Sequence, residues 1–345
     1  PFDEQDNSDL TVVTDTIKKI AAVKETPVTI IISSQLPAGT CGQYTELIKK
    51  NNPKLKFDVV YLPENLRLGD AINCFLKADR FIVGAKNAKI FPKIEALLKK
   101  TGAPLIKMSL ESAETTKHAL NSFLATCVSF TNEVADFCEL VGANVVDVSR
   151  ALKSDERIGQ KAYLNAGLGF AGGTLARDLK TLIDTADKAG MRLPVIEGVL
   201  KTNSLRADKA VQKLLKLLGS DSKRAIIGVL GLTYKPGTST LRRSVALEII
   251  DRLNDNGLIV RAYDPKADLS ELKQKPNFEL ANSPEELVKD ASAIIIATAW
   301  PEFKNLPYDK MRTAMKRPIM LDLINLIDKD RVKGYTCYRT GIGGN

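Results

Sequence analysis

The 345-residue sequence has a single histidine, His118, and its five cysteines, at 41, 74, 127, 138 and 337, include no CxxC pair and no Cys/His cluster. That scarcity excludes a metal site of the zinc type, and the odd number argues against a disulfide framework, so the cysteines read as reduced thiols. No apolar run is long enough to cross a bilayer, and no charged, apolar and small-residue succession resembling a signal peptide opens the chain. A soluble cytoplasmic protein without membrane association is expected. Basic blocks are missing too: the 50 Lys and Arg against 41 Asp and Glu give a net charge of +9, but the two signs are interspersed. Nucleic acid is therefore not implied, while a modest positive excess suits a diphosphate ligand. Repeats and low-complexity tracts are absent. At 44% hydrophobic and 26% charged residues over this length, the chain is globular with two or three domains.

What is present is concentrated in residues 163–183, YLNAGLGFAGGTLARDLKTLI. Glycines at 167, 169, 172 and 173 around Phe170 describe a tight passage that delivers Thr174 to a helix start. Glycine permits positive φ and close approach of a ligand, and the amides at a helix N-terminus favour anionic or developing negative charge. On residue types alone, an ordinary glycine-capped loop is the alternative.

This stretch resembles the active-site loop of the nucleotide-sugar 6-dehydrogenases, the UDP-glucose/GDP-mannose dehydrogenase superfamily, whose pattern is close to N-A-G-P-G-F-G-G-S-C-F-P-K-D. Asn165, Ala166, Gly167, Gly169, Phe170, Gly172 and Asp178 match; Thr174 stands where the family has its nucleophilic cysteine, Arg177 its lysine and Ala176 its proline. The resemblance implies a substrate site that includes Tyr163, Asn165, Gly169, Phe170 and Gly172, with Thr174 and Asp178 at catalytic positions. A threonine hydroxyl is scarcely ionised near neutrality, unlike a thiol, and makes a poor nucleophile without an activating base.

In chain order, a helical stretch from about Val12 to Lys24 leads into VTIIISS, FDVVYL, RFIVGA and PLIKMS, short β-branched runs that read as strands, with a helix near 87–100 before the last of them. This alternation is the signature of an α/β sheet. No GxGxxG follows an opening strand, so the sheet is expected to be a dinucleotide-binding domain lacking its first strands and pyrophosphate loop. SQLPAGT, from Ser34 to Thr40, resembles the family's S-T-V-P-x-G-T turn beside the cofactor, with Gln35 in place of the threonine. In YLPENLRLG, Glu64 matches a glutamate that takes part in acid–base chemistry, and Leu68 replaces a second glutamate.

Residues 112–142 form the clearest helix, with Leu120, Phe123, Leu124, Val128, Phe130, Val134, Phe137 and Leu140 as an apolar stripe. Lys117 and Asn121, four apart, share a face. An ammonium beside an amide can stabilise a developing oxyanion and position a water, and the resemblance to A-E-x-x-K-x-x-x-N-x-F-L-A-T places both on catalytic positions. His118 is expected at the helix surface or packed beneath it rather than as a base. Arg157 resembles an arginine that reaches the substrate of a neighbouring subunit. A spine helix of about 25 residues, roughly 37 Å at 1.5 Å each, is expected from Pro194 to Leu218.

From Arg224 the α/β pattern returns, with four strands and helices near 244–255, 284–289 and 308–315. Leu230 to Ser244 resembles L-G-L-A-F-K-P-x-T-D-D-x-R-E-S, which implies Lys235 on the substrate nucleotide and Arg242 on the cofactor diphosphate. Ser239, Thr240 and Arg243 replace acidic residues there, and Ile324 replaces a basic one. The expected fold class is α/β: a truncated NAD-binding Rossmann-like domain over 1–108, a helical middle and dimerisation domain over 109–219, and a UDP-sugar-binding Rossmann-like domain over 220–345. The implied activity is NAD-dependent oxidation of the C6 hydroxyl of a nucleotide sugar towards a uronic acid by a homodimer, in the nucleotide-sugar metabolism that serves polysaccharide biosynthesis. The alternatives are a catalytically silent paralogue that binds sugar nucleotide and dimerises, or an enzyme making one reversible oxidation.

Overall fold

A computed structural model describes residues 9–343 apart from 65, 67, 68, 171, 172 and 273, and apart from the side chain of Asp221. Gly172 and Leu68 thus lie outside the described residues. The chain forms two compact units, one of residues 1–123 with 177–194 and one of residues 124–176 with 195–345.

The first unit begins with α1 (Thr11–Val23), β1 (Val28–Ile32), α2 (Thr40–Asn51), β2 (Phe57–Tyr61), α3 (Ala71–Leu76), β3 (Phe81–Ala85), α4 (Phe91–Leu98) and β4 (Leu105–Met108). The four strands lie in the order β1-β2-β3-β4. The β1/β2 and β3/β4 pairs are parallel, as the alternation with helices requires, whereas β2 and β3 pair antiparallel over two residues. Ile30 and Ile32 of β1, Val59 and Tyr61 of β2 and Ile82 of β3 enter one core with Ile48 of α2, while Val60 and Phe81, Val83 and Ala85 of β3 enter another with Ile94 and Leu98 of α4. Gly84 lies where β3 meets the chain leading into the next helix. A Cβ there would fall 2.7 Å from that of Ala113 and 2.9 Å from the Ser109 carbonyl, a separation only glycine tolerates.

Next come α5 (Leu110–Val141), α6 (Val145–Ser154), α7 (Leu175–Lys188), α8 (Pro194–Ser204) and α9 (Arg206–Leu218). The spine expected as one helix is two, divided at Leu205. The long helix α5 departs from the usual amphipathic arrangement. Phe123, Phe130, Phe137 and Leu140, half of the apolar stripe, are 50–81% exposed. The face turned inward instead carries Glu114, Lys117, His118, Asn121, Ser122, Ser129, Thr131 and Asn132 with small residues such as Ala125 and Ala135.

The second unit continues through β5 (Ile226–Leu230), α10 (Val245–Asp255), β6 (Ile259–Tyr263), β7 (Glu279–Leu280), α11 (Pro284–Val288), β8 (Ala293–Ile296), α12 (Tyr308–Ala314), β9 (Ile319–Asp322) and β10 (Thr336–Arg339). Its sheet is all parallel in the order β10-β9-β8-β5-β6-β7. Every residue of β8 and β9 is buried, as expected of strands covered on both faces, which read as continuous apolar runs rather than alternating ones. The strand order reverses between β5 and β8, and in open α/β sheets ligands bind at the carboxyl ends of the strands beside such a switch.

Candidate active site

Within the first unit, a buried polar cluster is assembled from α5, α7 and the loop after β1. The inward face of α5 presents Glu114, Lys117, His118 and Asn121, each at most 9% exposed. Spacings of three and four residues put them side by side. Asp178, in the first turn of α7 and fully buried, lies opposite. Asn121 Nδ2 donates to its Oδ2 and Gln35 Nε2 to its Oδ1. His118 Nδ1 lies 2.6 Å from Asp178 Oδ1, and Nε2 lies 2.8 Å from the Leu36 carbonyl oxygen. His118 is therefore packed beneath the helix, not at its surface. The position of Asp178 at a helix N-terminus favours its negative charge.

Lys117 Nζ donates to the backbone carbonyl of Glu64 at 2.8 Å. Burial holds its ammonium below the ordinary lysine range, against the upward pull of the Asp178 and Glu64 carboxylates. Glu64 itself is exposed and accepts from the Leu66 amide at 2.6 Å. The sequence resemblance names Lys117, Asn121, Asp178, Glu64 and Gln35, and the structure brings the first three and Gln35 together, with Glu64 joined to them through its backbone. His118 was given no chemical role, although its place three residues before Asn121 on the same helix face was the signal that it belongs to the cluster.

In the second unit, residues 163–170 are held from behind. Asn132 Oδ1 accepts from the Gly167 amide at 2.8 Å, and Asn203 accepts from Phe170 N at 2.8 Å while donating to Phe170 O at 3.1 Å. Gly169 has φ +92°, and a Cβ on it would strike Asn203 Oδ1 at 2.3 Å. Phe170 is buried, Tyr163 is 54% exposed, and the exposed Asn165 accepts from Lys153 Nζ at 3.0 Å. Thr174 is exposed immediately before α7. Arg157 is exposed and forms a two-point pair with Asp155 at 2.9 and 2.6 Å.

At the switch between β5 and β8, Gly231 (φ +95°) passes so near Thr298 that a Cβ would lie 2.4 Å from it. The chain then runs into the loop carrying Lys235, whose ammonium lies 5.6 Å from the Tyr234 ring centroid, and the exposed Arg242. Asp264 Oδ2 accepts from the amides of Leu232 and Thr233 at 2.8 and 3.0 Å and from Trp300 Nε1 at 3.0 Å, fixing the start of this loop.

The comparisons with known proteins give the family. The UDP-glucose/GDP-mannose dehydrogenase family is matched by all three of its profiles: the NAD binding domain over residues 1–101, the central domain over 111–205 and the UDP binding domain over 228–329. The chain belongs to this family. Among its relatives it is 36% identical to the UDP-glucose 6-dehydrogenase of Rickettsia prowazekii (strain Madrid E), over 99% of this chain and 80% of that protein. It is also 36% identical to the UDP-glucose 6-dehydrogenase TuaD of Bacillus subtilis (strain 168), over 99% and 74%. Its fold is similar to that of a UDP-glucose dehydrogenase from the hyperthermophilic archaeon Pyrobaculum islandicum, with a TM-score of 0.88, 28% identity, and coverage of 100% of this chain and 78% of that one.

NAD is the family's cofactor, and the first unit can be tested against its diphosphate. The amides of Gly39 and Cys41, at the N-terminus of α2, already donate to the buried Glu114 carboxylate at 2.6 and 2.7 Å. The amides of Gly39 and Cys41 are therefore already taken by a carboxylate, and among the described residues of this unit no glycine-rich strand-to-helix turn is present. These residues do not form a diphosphate cradle. Among the described residues no group of three or more His, Cys, Asp or Glu could hold a metal ion, and no helix is long and apolar enough to cross a membrane.

Proposed function

We propose that the chain acts as a nucleotide-sugar 6-dehydrogenase, taking a UDP-glucose-like sugar from alcohol towards acid with NAD as electron acceptor. One observation carries the reading: Asn121 and Asp178 are hydrogen-bonded in a buried cluster one helical turn from Lys117, whose ammonium is partly desolvated. A positive charge in such a site stabilises the alkoxide and oxyanion that develop as the C6 hydroxyl is oxidised. Glu64 serves acid–base steps, Gln35 and Arg242 lie on the cofactor side, and Tyr163, Asn165, Gly169, Phe170, Gly172 and Lys235 hold the nucleotide sugar. Arg157 reaches a neighbouring subunit's substrate. The three functional segments are 1–108, 109–219 and 220–345, and the protein works in the cytoplasm as a homodimer. The exposed Phe130, Phe137 and Leu140 of α5 support that assembly.

Thr174 favours a second reading, a single oxidation that ends at the aldehyde. A thiol adds to an aldehyde and gives a thioester after the second oxidation, which water then opens; a hydroxyl lacks the ionisation that makes the first of these steps fast. The test is the number of NADH molecules formed per UDP-glucose consumed, with Thr174→Cys alongside. The first reading expects two NADH per sugar, the second expects one with the threonine and two with the cysteine, and no NADH from protein that calorimetry shows to bind NAD overturns both.

A further inference from the structure

The oxidation just described leaves His118 without a part, yet this side chain is 1% exposed and joins two segments of the first unit. Its ring nitrogens face partners that make opposite demands. Nε2 lies 2.8 Å from the Leu36 carbonyl oxygen, which can only accept, so Nε2 carries a proton. A neutral imidazole has one N–H, and this contact uses it. The 2.6 Å approach of Nδ1 to Asp178 Oδ1 therefore needs a second proton, either on the ring or on the carboxyl group.

The surroundings of Asp178 favour the ring. Gln35 Nε2 donates to the same Oδ1, and Asn121 Nδ2 donates to Oδ2. A protonated Oδ1 could still accept from Gln35, but only as a hydroxyl, the weaker acceptor, whereas a carboxylate gives all three donors charge-assisted bonds at once. The position in the first turn of α7 favours the anion as well. Of the nearby charges on α5, Glu114 is engaged with the amides of Gly39 and Cys41, and the Lys117 ammonium, which donates to the Glu64 carbonyl, is also attracted by the Asp178 carboxylate.

We infer that His118 is an imidazolium donating both ring protons, a positioning residue that pairs with the Asp178 carboxylate and ties α7 to the loop after β1. Asp178 so held draws the N–H2 ends of Gln35 and Asn121 towards itself. Their carbonyl oxygens then point away from the carboxylate, where each can accept a hydrogen bond from a hydroxyl. Asp178 is in this arrangement an acceptor that orients two carboxamides, with its oxygens occupied rather than free to take a proton from water.

The one histidine gives a single imidazole signal set, which makes the proton count directly measurable. In the 15N-labelled chain near neutral pH, a long-range proton–nitrogen spectrum is expected to show both ring nitrogens protonated, with His118→Gln as the blank. Asp178→Asn is expected to leave one proton, on Nε2. A wild-type ring with a bare Nδ1, or an Asp178→Asn ring that keeps both protons, overturns the inference. If circular dichroism shows Asp178→Asn unfolded, the wild-type spectrum decides alone. Positioning is read from the Asn121 side-chain N–H2 protons. They should exchange with solvent at least about tenfold faster in His118→Gln than in His118→Asn, whose amide can still donate from near the Nδ1 position. Equal exchange in the two variants overturns the positioning role. Neither readout measures turnover, so the outcome is separate from that of the proposed reaction.

Discussion

Asn203 holds Phe170 by both of its backbone polar groups, accepting from the nitrogen at 2.8 Å and donating to the oxygen at 3.1 Å. A side chain thus completes the hydrogen bonding of a loop that has no strand partner of its own, and Gly169 gives it room to do so. Replacing Asn203 by Leu leaves a partly buried amide and carbonyl unmatched and is expected to cost about 2 kcal/mol in denaturant unfolding. Gly169→Ala, which meets both positive φ and the 2.3 Å clash, is expected to cost at least as much and to weaken UDP-sugar binding measured by calorimetry. Unchanged stability in both variants would show that the loop is held by other means.

The buried ammonium of Lys117 sets a pH dependence. Desolvation disfavours its charged form, so the folded chain releases this proton at lower pH than the unfolded chain does. In the window between the lowered value and the ordinary lysine value of about 10.4, the unfolded state binds more protons and this residue's contribution to stability rises with pH. On the proposed function, activity should follow the opposite course, because only the ammonium would stabilise the developing oxyanion. The alkaline limb of kcat/KM is expected below the ordinary lysine range and to move upward in Lys117→Arg. An identical limb in both proteins would remove Lys117 from the reaction.

Asp322, at the end of β9, accepts from the amides of Ile324, Leu326 and Ile327 at 3.3, 3.0 and 2.8 Å and is fully buried. Burial pushes its carboxyl group above the ordinary range, and the three amides pull it only part of the way back. The native state therefore binds the proton more tightly than the unfolded state, and this contribution to stability is lost as pH rises from the unfolded value through the raised one. Asp322→Ala should destabilise the second unit by about 3 kcal/mol, because several buried amides lose their acceptor together. Asp322→Asn should cost less and flatten the pH dependence, which thermal unfolding across the acidic range will read.

Phe137 is 61% exposed and Leu140, three residues on, is 81% exposed. If this face of α5 joins two copies of the chain, Phe137→Glu places a charge in an apolar contact and should raise the dimer dissociation constant by at least about a hundredfold, some 2.7 kcal/mol. Sedimentation at micromolar concentration measures it. A wild-type monomer, or a variant that dimerises as well as the wild type, would rule the contact out.

The strands were legible because burial on both faces leaves an unmistakable mark: β8 reads AIII and β9 begins IML. The shared face of Lys117 and Asn121 was legible from helix geometry. The orientation of α5 was not. Apolar periodicity says which residues share a face but not whether that face turns inward, and here polar groups, among them the hydrogen-bonded Glu114, His118 and Asn121, fill the interior. The contacts of Asp178 with Gln35 and His118 span 143 and 60 residues, distances at which local pattern carries no information. Helix α2, whose N-terminal amides are met by Glu114 from far along the chain, left little local signal for the same reason. The break at Leu205 carries no proline or glycine to announce it.

Because the first unit takes residues 177–194 from beyond a stretch that belongs to the second, its interior is completed out of order during synthesis. His118 leaves the ribosome sixty residues ahead of Asp178, roughly 3–12 s at about 5–20 residues per second. Throughout that interval the inward face of α5 carries His118 and Asn121 with the carboxylate they share still unmade. A nascent chain halted before Asp178 should remain sensitive to protease in residues that are resistant in the finished protein, and the order of translation thereby becomes part of how this site is built.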